Sequence, residues 1–117
     1  MIKFYHNPRC GTCRKSLSFL HDNNQDVNLV EYLTNPISKI ELKKIIKLLN
    51  ISAYDLIRVK ESLFKELYAG KRLSNDECID ILLKHPVLME RPIIVQDNKA
   101  IIGRPAIKVL DLLNCKI

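Results

Sequence analysis

A short apolar run, Ile2-Lys3-Phe4-Tyr5, breaks at His6-Asn7-Pro8, and Cys10-Gly11-Thr12-Cys13 then opens a stretch with helical periodicity. Apolar residues that stop at a proline and resume at helical spacing read as a strand passing through a tight turn into a helix. That places Cys10 at the hinge. A helix N-terminus offers unpaired backbone N–H groups and a partial positive charge, and both favour an anion, whether the sulfur itself or an oxyanion bound beside it. A thiol so placed, with Arg or His nearby, has a strongly lowered pKa and becomes a nucleophile at neutral pH.

The remainder of the chain supplies the other elements. The helix from Cys10 to about His21 turns Leu17 and Leu20 toward a core, and Val27 to Tyr32 reads as a second strand. Ser38-Lys39-Ile40-Glu41 has the form of a capping box and opens a helix in which Ile45, Ile46, Leu48 and Leu49 recur at helical spacing. Ser52 to Asp55 and Ser74 to Glu77 are start signals of the same kind, leading into short helices through Leu56, Leu67 and Leu82. Ile93 to Gln96 and Ala100 to Ile102, separated by Asp97-Asn98-Lys99, read as a hairpin. Pro105, at a first helical position, opens a last helix carrying Val109, Leu110 and Leu113.

Strand, helix, strand, helical segment, hairpin and helix in this order predict an α/β fold, a mixed sheet flanked by helices that begins with a βαβ crossover. The pattern is thioredoxin-like, with a helical insertion over about residues 36–90 of a single 1–117 domain. Open α/β sheets hold ligands beyond the carboxyl ends of their strands, which is where Cys10 falls.

Composition narrows the setting. At 117 residues the chain has the size of one domain, and its 47% hydrophobic and 27% charged residues are those of a soluble globular protein. No apolar run approaches a membrane span, and the N-terminus has no basic stretch leading into an apolar one, so no export signal is expected. The four cysteines then point to a reducing cytoplasm, where a CxxC is redox or metal chemistry rather than a structural staple. Net charge is +6, but the lysines are scattered without aromatic interleaving, so they read as solvated surface rather than a nucleic-acid groove. Structural zinc fails on count, since His21, His85, Cys78 and Cys115 stand singly rather than as a second ligand pair. Cys78, in a helical apolar stripe, and Cys115 read as bystanders.

Three arginines sit where a turn meets an element: Arg58 in Leu56-Ile57-Arg58, Arg91 in Glu90-Arg91-Pro92, and Arg104 in Gly103-Arg104-Pro105. A residue before proline is held extended, so Arg91 and Arg104 lie on stiff backbone suited to fixing a guanidinium. Guanidinium forks match tetrahedral oxyanions through paired hydrogen bonds. Each arginine alone would more often be a surface residue.

His6-Asn7-Pro8 through Cys10-Gly11-Thr12 and Arg14, Leu56-Ile57-Arg58, His85 through Val95, and Arg104-Pro105 with Val109-Leu110-Asp111 together resemble the glutaredoxin-coupled arsenate reductase family, in order and in spacing. The resemblance spans nearly the whole chain. It implies a thioredoxin-like fold, a cis proline at Pro92, a nucleophilic Cys10 that attacks arsenate, and arginines 58, 91 and 104 holding the oxyanion, with Gly11 and Thr12 in the substrate-binding loop. It also implies glutathione as co-substrate, no resident cofactor or metal, and glutaredoxin or thioredoxin as redox partner. His6 is a candidate for tuning the Cys10 pKa, or for a structural hydrogen bond only.

One position departs from the family. Where those enzymes generally carry serine, this chain has Cys13. Thioredoxins and the Spx-type transcriptional regulators, which share the fold, have two cysteines at this spacing, and one helical turn can bring such a pair to a disulfide. Cys13 is therefore a resolving thiol, a redox-sensing partner, or a small residue filling the first turn. Two functions stay open: an arsenate or other thiol-dependent reductase, and an Spx-type regulator that binds RNA polymerase. The regulators lack the Gly-Arg-Pro ending present here, which favours the enzyme.

Overall fold

The structure, a computed structural model, describes residues 2–23 and 25–109. It falls into two compact units, residues 1–35 with 91–117 and residues 36–90.

The first unit is built on a four-stranded sheet. Strand β1 (Ile2–Tyr5), helix α1 (Gly11–Asp22) and strand β2 (Val27–Val30) form the opening strand–helix–strand unit, and β3 (Ile93–Gln96) and β4 (Lys99–Ile102) form the hairpin. Strand order is β2-β1-β3-β4, with β1 parallel to β2 and both other pairings antiparallel. The sheet is mixed, as the element order predicts. Ile2, Phe4, Cys10, Cys13, Leu20, Ile94 and Val109 form the buried cluster beneath α1, and Leu17 packs against it half-buried. Both cysteines of the loop thus belong to the core as well as to the surface chemistry.

Three readings shift in this unit. The strand expected to reach Tyr32 ends at Val30, because the Glu31 carbonyl accepts from Thr34 N–H (3.1 Å) and Asn35 N–H (2.9 Å) and turns the chain. The hairpin turn is one residue shorter than expected: Gln96 pairs with Lys99, so Asp97 and Asn98 alone make the turn. Asp97 takes the left-handed conformation there (φ 54°), which a short polar side chain tolerates. Pro105 does not occupy a first helical position. It precedes a 3-10 turn (Ala106–Lys108) whose Lys108 N–H returns to the Pro105 carbonyl at 3.0 Å. Leu110, Leu113 and Cys115 lie outside the described residues.

The second unit is helical. Helix α2 (Lys39–Leu49) is capped by Ser38, whose hydroxyl accepts from Glu41 N–H at 3.1 Å, and ends on Asn50 in the left-handed region (φ 57°). Helix α4 (Asn75–Lys84) carries the full capping box: Ser74 and Glu77 each accept from the other's backbone N–H. Buried Leu42, Ile45 and Ile46 of α2 and Ile79, Ile81 and Leu82 of α4 line this unit's core, and the two helices pack against each other. Cys78 is among these buried residues.

Ser52 opens a short helix through Leu56, as expected, but only a single 3-10 turn. Its hydroxyl accepts from Asp55 N–H at 3.4 Å, but the helical turn stops after Tyr54–Leu56, and the helix carrying Leu67 is a separate one, α3 (Ser62–Tyr68). Ile57 turns extended and bridges Met89, with Arg58 N–H on the Leu88 carbonyl (2.6 Å) and Glu90 N–H on the Leu56 carbonyl (2.8 Å). Those non-local bonds consume the groups that a continuing helix would use.

Candidate active site

Cys10 is the N-cap of α1. Its backbone is extended (φ −91°, ψ 119°), and its sulfur takes the capping position normally held by a Ser or Asp oxygen, accepting from Cys13 N–H at 3.4 Å. No acidic residue occupies the first turn of α1, whereas α2 and α4 place Glu41, Asp76 and Glu77 in theirs. The positive end of α1 is left for the sulfur and whatever binds beside it.

The loop leading to this cap is braced from within. Cys10 N–H returns to the Asn7 carbonyl (3.0 Å), Arg9 N–H donates to Asn7 Oδ1 (3.0 Å), and the Arg14 guanidinium donates to the Pro8 carbonyl (2.8 Å). Ser16, buried on the inner face of α1, donates its hydroxyl to the Gly103 carbonyl at 3.0 Å. That bond ties α1 to the backbone beside Arg104. A serine on the apolar face of the helix was the sequence signal for it, and the sequence reading passed it over, as it did Asn7.

The prolines deliver the guanidiniums. Both Arg91-Pro92 and Arg104-Pro105 are cis, the first as the resemblance implies. Arg104 donates through Nε to the Arg91 carbonyl (3.2 Å) and through Nη2 to Cys10 Sγ (3.4 Å). Arg91 is half-buried, and its Nε–H is buried without a hydrogen-bond partner. The structure thus brings Cys10, Cys13, Gly11, Thr12, Arg91 and Arg104 to one place. Arg58 belongs to the other unit, where its guanidinium pairs with the Glu61 carboxylate and donates to the Val87 carbonyl at 3.3 Å.

The two thiols are driven in opposite directions. Burial opposes ionisation of Cys10, but hydrogen bonds from the Cys13 N–H and thiol, the charge of Arg91 and the Thr12 N–H together outweigh it and hold the thiol below its ordinary value. Cys13 is pushed up to about 12, first by burial and then by its hydrogen bond to Cys10 and the charge there; an Asn7 backbone hydrogen bond and Arg91 act the other way. Both are free thiols. Cys10 is thus the more readily ionised thiol, and Cys13 the one that keeps its proton. His6, buried at the end of β1 with its ring 5.5 Å from Phe4, has its pKa lowered by burial, against the raising effect of Glu31. A neutral imidazole adds no positive charge beside the sulfur.

Beside the loop, Thr12, Lys15 and Phe19 of α1 face Pro105 and Ala106 across a cleft of about 370 Å³. It offers a hydroxyl and one ammonium against an apolar floor.

A mixed sheet with a cysteine capping its first helix and a guanidinium on the sulfur defines a thiol protein of thioredoxin-like fold. The ArsC family profile matches residues 5–112, and the chain belongs to the ArsC family. It is 42% identical over 114 residues to the uncharacterized protein YfgD of Escherichia coli (strain K12), covering 96% of each. It is also 42% identical over 106 residues to an arsenate reductase of Neisseria meningitidis serogroup A, covering 89% of this chain and 91% of that one. In three dimensions it matches an arsenate reductase from Vibrio cholerae with a TM-score of 0.89 and 36% identity, over 94% of this chain and 95% of that one.

Proposed function

We propose that this protein is an arsenate reductase in which the Cys10 thiolate attacks the arsenic of arsenate. The observation that carries the reading is the Arg104 guanidinium on the sulfur of a cysteine that caps a helix with no acid in its first turn. The similarity to the Neisseria and Vibrio arsenate reductases points the same way.

In this reading the thiolate displaces an oxygen of arsenate as water and leaves a sulfur-bound As(V) oxyanion. The unpartnered Nε–H of Arg91, the fork of Arg104 and the N–H groups of Gly11 and Thr12 stabilise its charge. The resemblance assigns Arg58 an anion-binding role as well; within its own unit its guanidinium is paired with the Glu61 carboxylate. His6 keeps the end of β1 in place rather than supplying charge. A second thiol then attacks the Cys10 sulfur, the S–As bond breaks, and its electron pair reduces As(V) to As(III). The reducing cytoplasm, with glutathione, glutaredoxin or thioredoxin, is the setting that sustains such turnover.

The test is arsenate-dependent turnover of the wild type and Cys10→Ser, with glutathione plus glutaredoxin and separately with a thioredoxin system. Turnover by the wild type and none by Cys10→Ser is expected. Absence of turnover with either donor, alongside measurable binding to RNA polymerase, would move the protein to the regulator class.

A further inference from the structure

We propose that Cys13 is the second thiol of the reaction, a resolving nucleophile released only once Cys10 has been capped, and that the protein is therefore recycled by a dithiol reductant rather than by a monothiol. The proposal rests on the reductase reading for its substrate, but not for its chemistry.

Cys13 is fully buried in the core cluster with Ile2, Phe4, Leu20, Ile94 and Val109, so no external thiol or electrophile reaches it directly. Among the described residues its reactive neighbour is Cys10. The Cys13 N–H lies 3.4 Å from Cys10 Sγ, within the first turn of α1, and the Cys13 thiol donates to the same sulfur. A helical turn between two cysteines is a span that a disulfide closes without moving backbone elements.

The gating follows from what holds Cys13 neutral. Besides burial, two influences keep its proton on: the hydrogen bond it gives to Cys10 and the negative charge there. Both vanish when Cys10 carries a covalent group, since a capped sulfur is neither charged nor a strong acceptor. Burial remains, but the Asn7 N–H and the positive charge of Arg91, which favour an anion at Cys13, are then no longer opposed by Cys10. The free enzyme thus keeps Cys13 inert, and the adduct arms it.

The step balances. The Cys13 thiolate attacks the Cys10 sulfur, forming the Cys10–Cys13 S–S bond and breaking the S–As bond. The electron pair of the broken bond passes to arsenic, which leaves as arsenite. Overall two thiols and arsenic acid give one disulfide, arsenous acid and water. Restoring the two thiols takes two electrons and two protons from a dithiol, whose own sulfurs close to a disulfide.

Trypsin cleaving after Arg9 and Arg14 isolates residues 10–14 with both cysteines, so a peptide mass map reads the pair directly. Wild-type protein is treated with one equivalent of the aromatic disulfide 5,5′-dithiobis(2-nitrobenzoate) at neutral pH. It should yield a 10–14 peptide lighter by two hydrogens, with both halves of the reagent released. Cys13→Ser should instead hold the nitrobenzoate adduct on Cys10, and a monothiol should discharge it about 100-fold or more slowly than wild type discharges itself, because intramolecular attack replaces a bimolecular one. A wild-type peptide that keeps the adduct with Cys13 reduced overturns the proposal, and that readout needs no variant. In a second arm, wild type is mixed with arsenate and no external thiol. One disulfide per arsenite supports both readings, whereas a disulfide with the reagent but none with arsenate retains Cys13 as resolving thiol and rejects arsenate as substrate.

Discussion

The Arg104 guanidinium lies 3.4 Å from the Cys10 sulfur, across 94 positions of chain, and its Nε is anchored on the Arg91 carbonyl at 3.2 Å. One arginine therefore both pairs with the nucleophile and fixes the backbone of a second arginine whose own Nε–H is left without a partner. A guanidinium shared between a thiolate and a neighbouring carbonyl can swing onto an incoming oxyanion while the carbonyl keeps it in register.

Removing that guanidinium separates its two effects. Hydrogen bonds to a charged partner contribute about 1.5–3 kcal/mol, and because Arg104 is exposed the lower end applies, about a tenfold effect on thiolate population. Arg104→Ala should shift the ultraviolet thiolate titration of Cys10 upward and slow its alkylation at neutral pH. Arg104→Lys should restore part of the titration but not the affinity for arsenate, since an ammonium lacks the planar fork. Equal recovery of both by lysine would show that charge alone matters.

The opposed thiols predict a selective pH profile. Among Cys10, Cys13 and Cys78, iodoacetamide should modify Cys10 first, with a half-maximal rate below the ordinary thiol value of 9.0. Cys13, at about 12, should stay unmodified until the protein unfolds. Stability should follow the same chemistry. Between the unfolded value near 9.0 and about 12 the unfolded Cys13 has lost its proton and the folded one keeps it, so folding weakens as pH rises through that window. Urea midpoints measured from neutral to alkaline pH should fall more steeply for the wild type than for Cys13→Ala.

The acid side turns on His6. Its folded pKa is lowered by burial, so as pH falls through 6.5 the unfolded chain takes up a proton that the folded chain refuses, and stability is lost. His6→Gln should flatten the dependence of the urea midpoint on pH across this range. An unchanged slope would show that His6 is not the titrating group.

The place of Cys10 was legible because strand, proline turn and helix start lie within the first 13 residues, and local chemistry alone puts it at the helix cap. The pairing of Arg104 with Cys10 was legible only through a resemblance, because nothing local to Gly103-Arg104-Pro105 announces contact with residue 10. The sheet was read well because β-branched runs and the hairpin are local, though its two boundary shifts came from features that propensity does not register, the backbone bonds to Glu31 and the left-handed φ of Asp97. The shortness of the helix opened at Ser52 has a non-local origin. The Ser52 hydroxyl does cap a turn, but the Ile57–Met89 bridge, from a segment 32 residues away, diverts the chain. The serine on the apolar face of α1 hinted at Ser16, but its partner, the Gly103 carbonyl, lies 87 positions away and no local pattern names it.

The unit with residues 36–90 offers a control. Ser74→Ala removes the hydroxyl half of the α4 capping box, leaving the backbone N–H at that position on the Glu77 carboxylate, and should cost about 1 kcal/mol of stability, read as a lower urea midpoint. Glu77→Gln keeps an acceptor and should cost less.

Gly103 marks where the site is least forgiving. A Cβ built there would lie 2.8 Å from Ile94 Cδ1 and 3.1 Å from both Pro92 Cγ and Ser16 Oγ, closer than side-chain atoms pack. Ile94 is fully buried in β3 and cannot retreat, and Ser16 is held by its bond to the Gly103 carbonyl. Alanine must therefore push the backbone outward, breaking the Ser16 bond and carrying Arg104 with it. Gly103→Ala should destabilise by about 1–3 kcal/mol, the range of an overpacked core. It should also raise the Cys10 titration toward that of Arg104→Ala. Ser16→Ala in the same background should relieve much of the stability loss by opening space, without returning the thiolate, because the guanidinium stays displaced. If that double variant recovers the low Cys10 titration as well, Gly103 acts through packing alone and does not position Arg104.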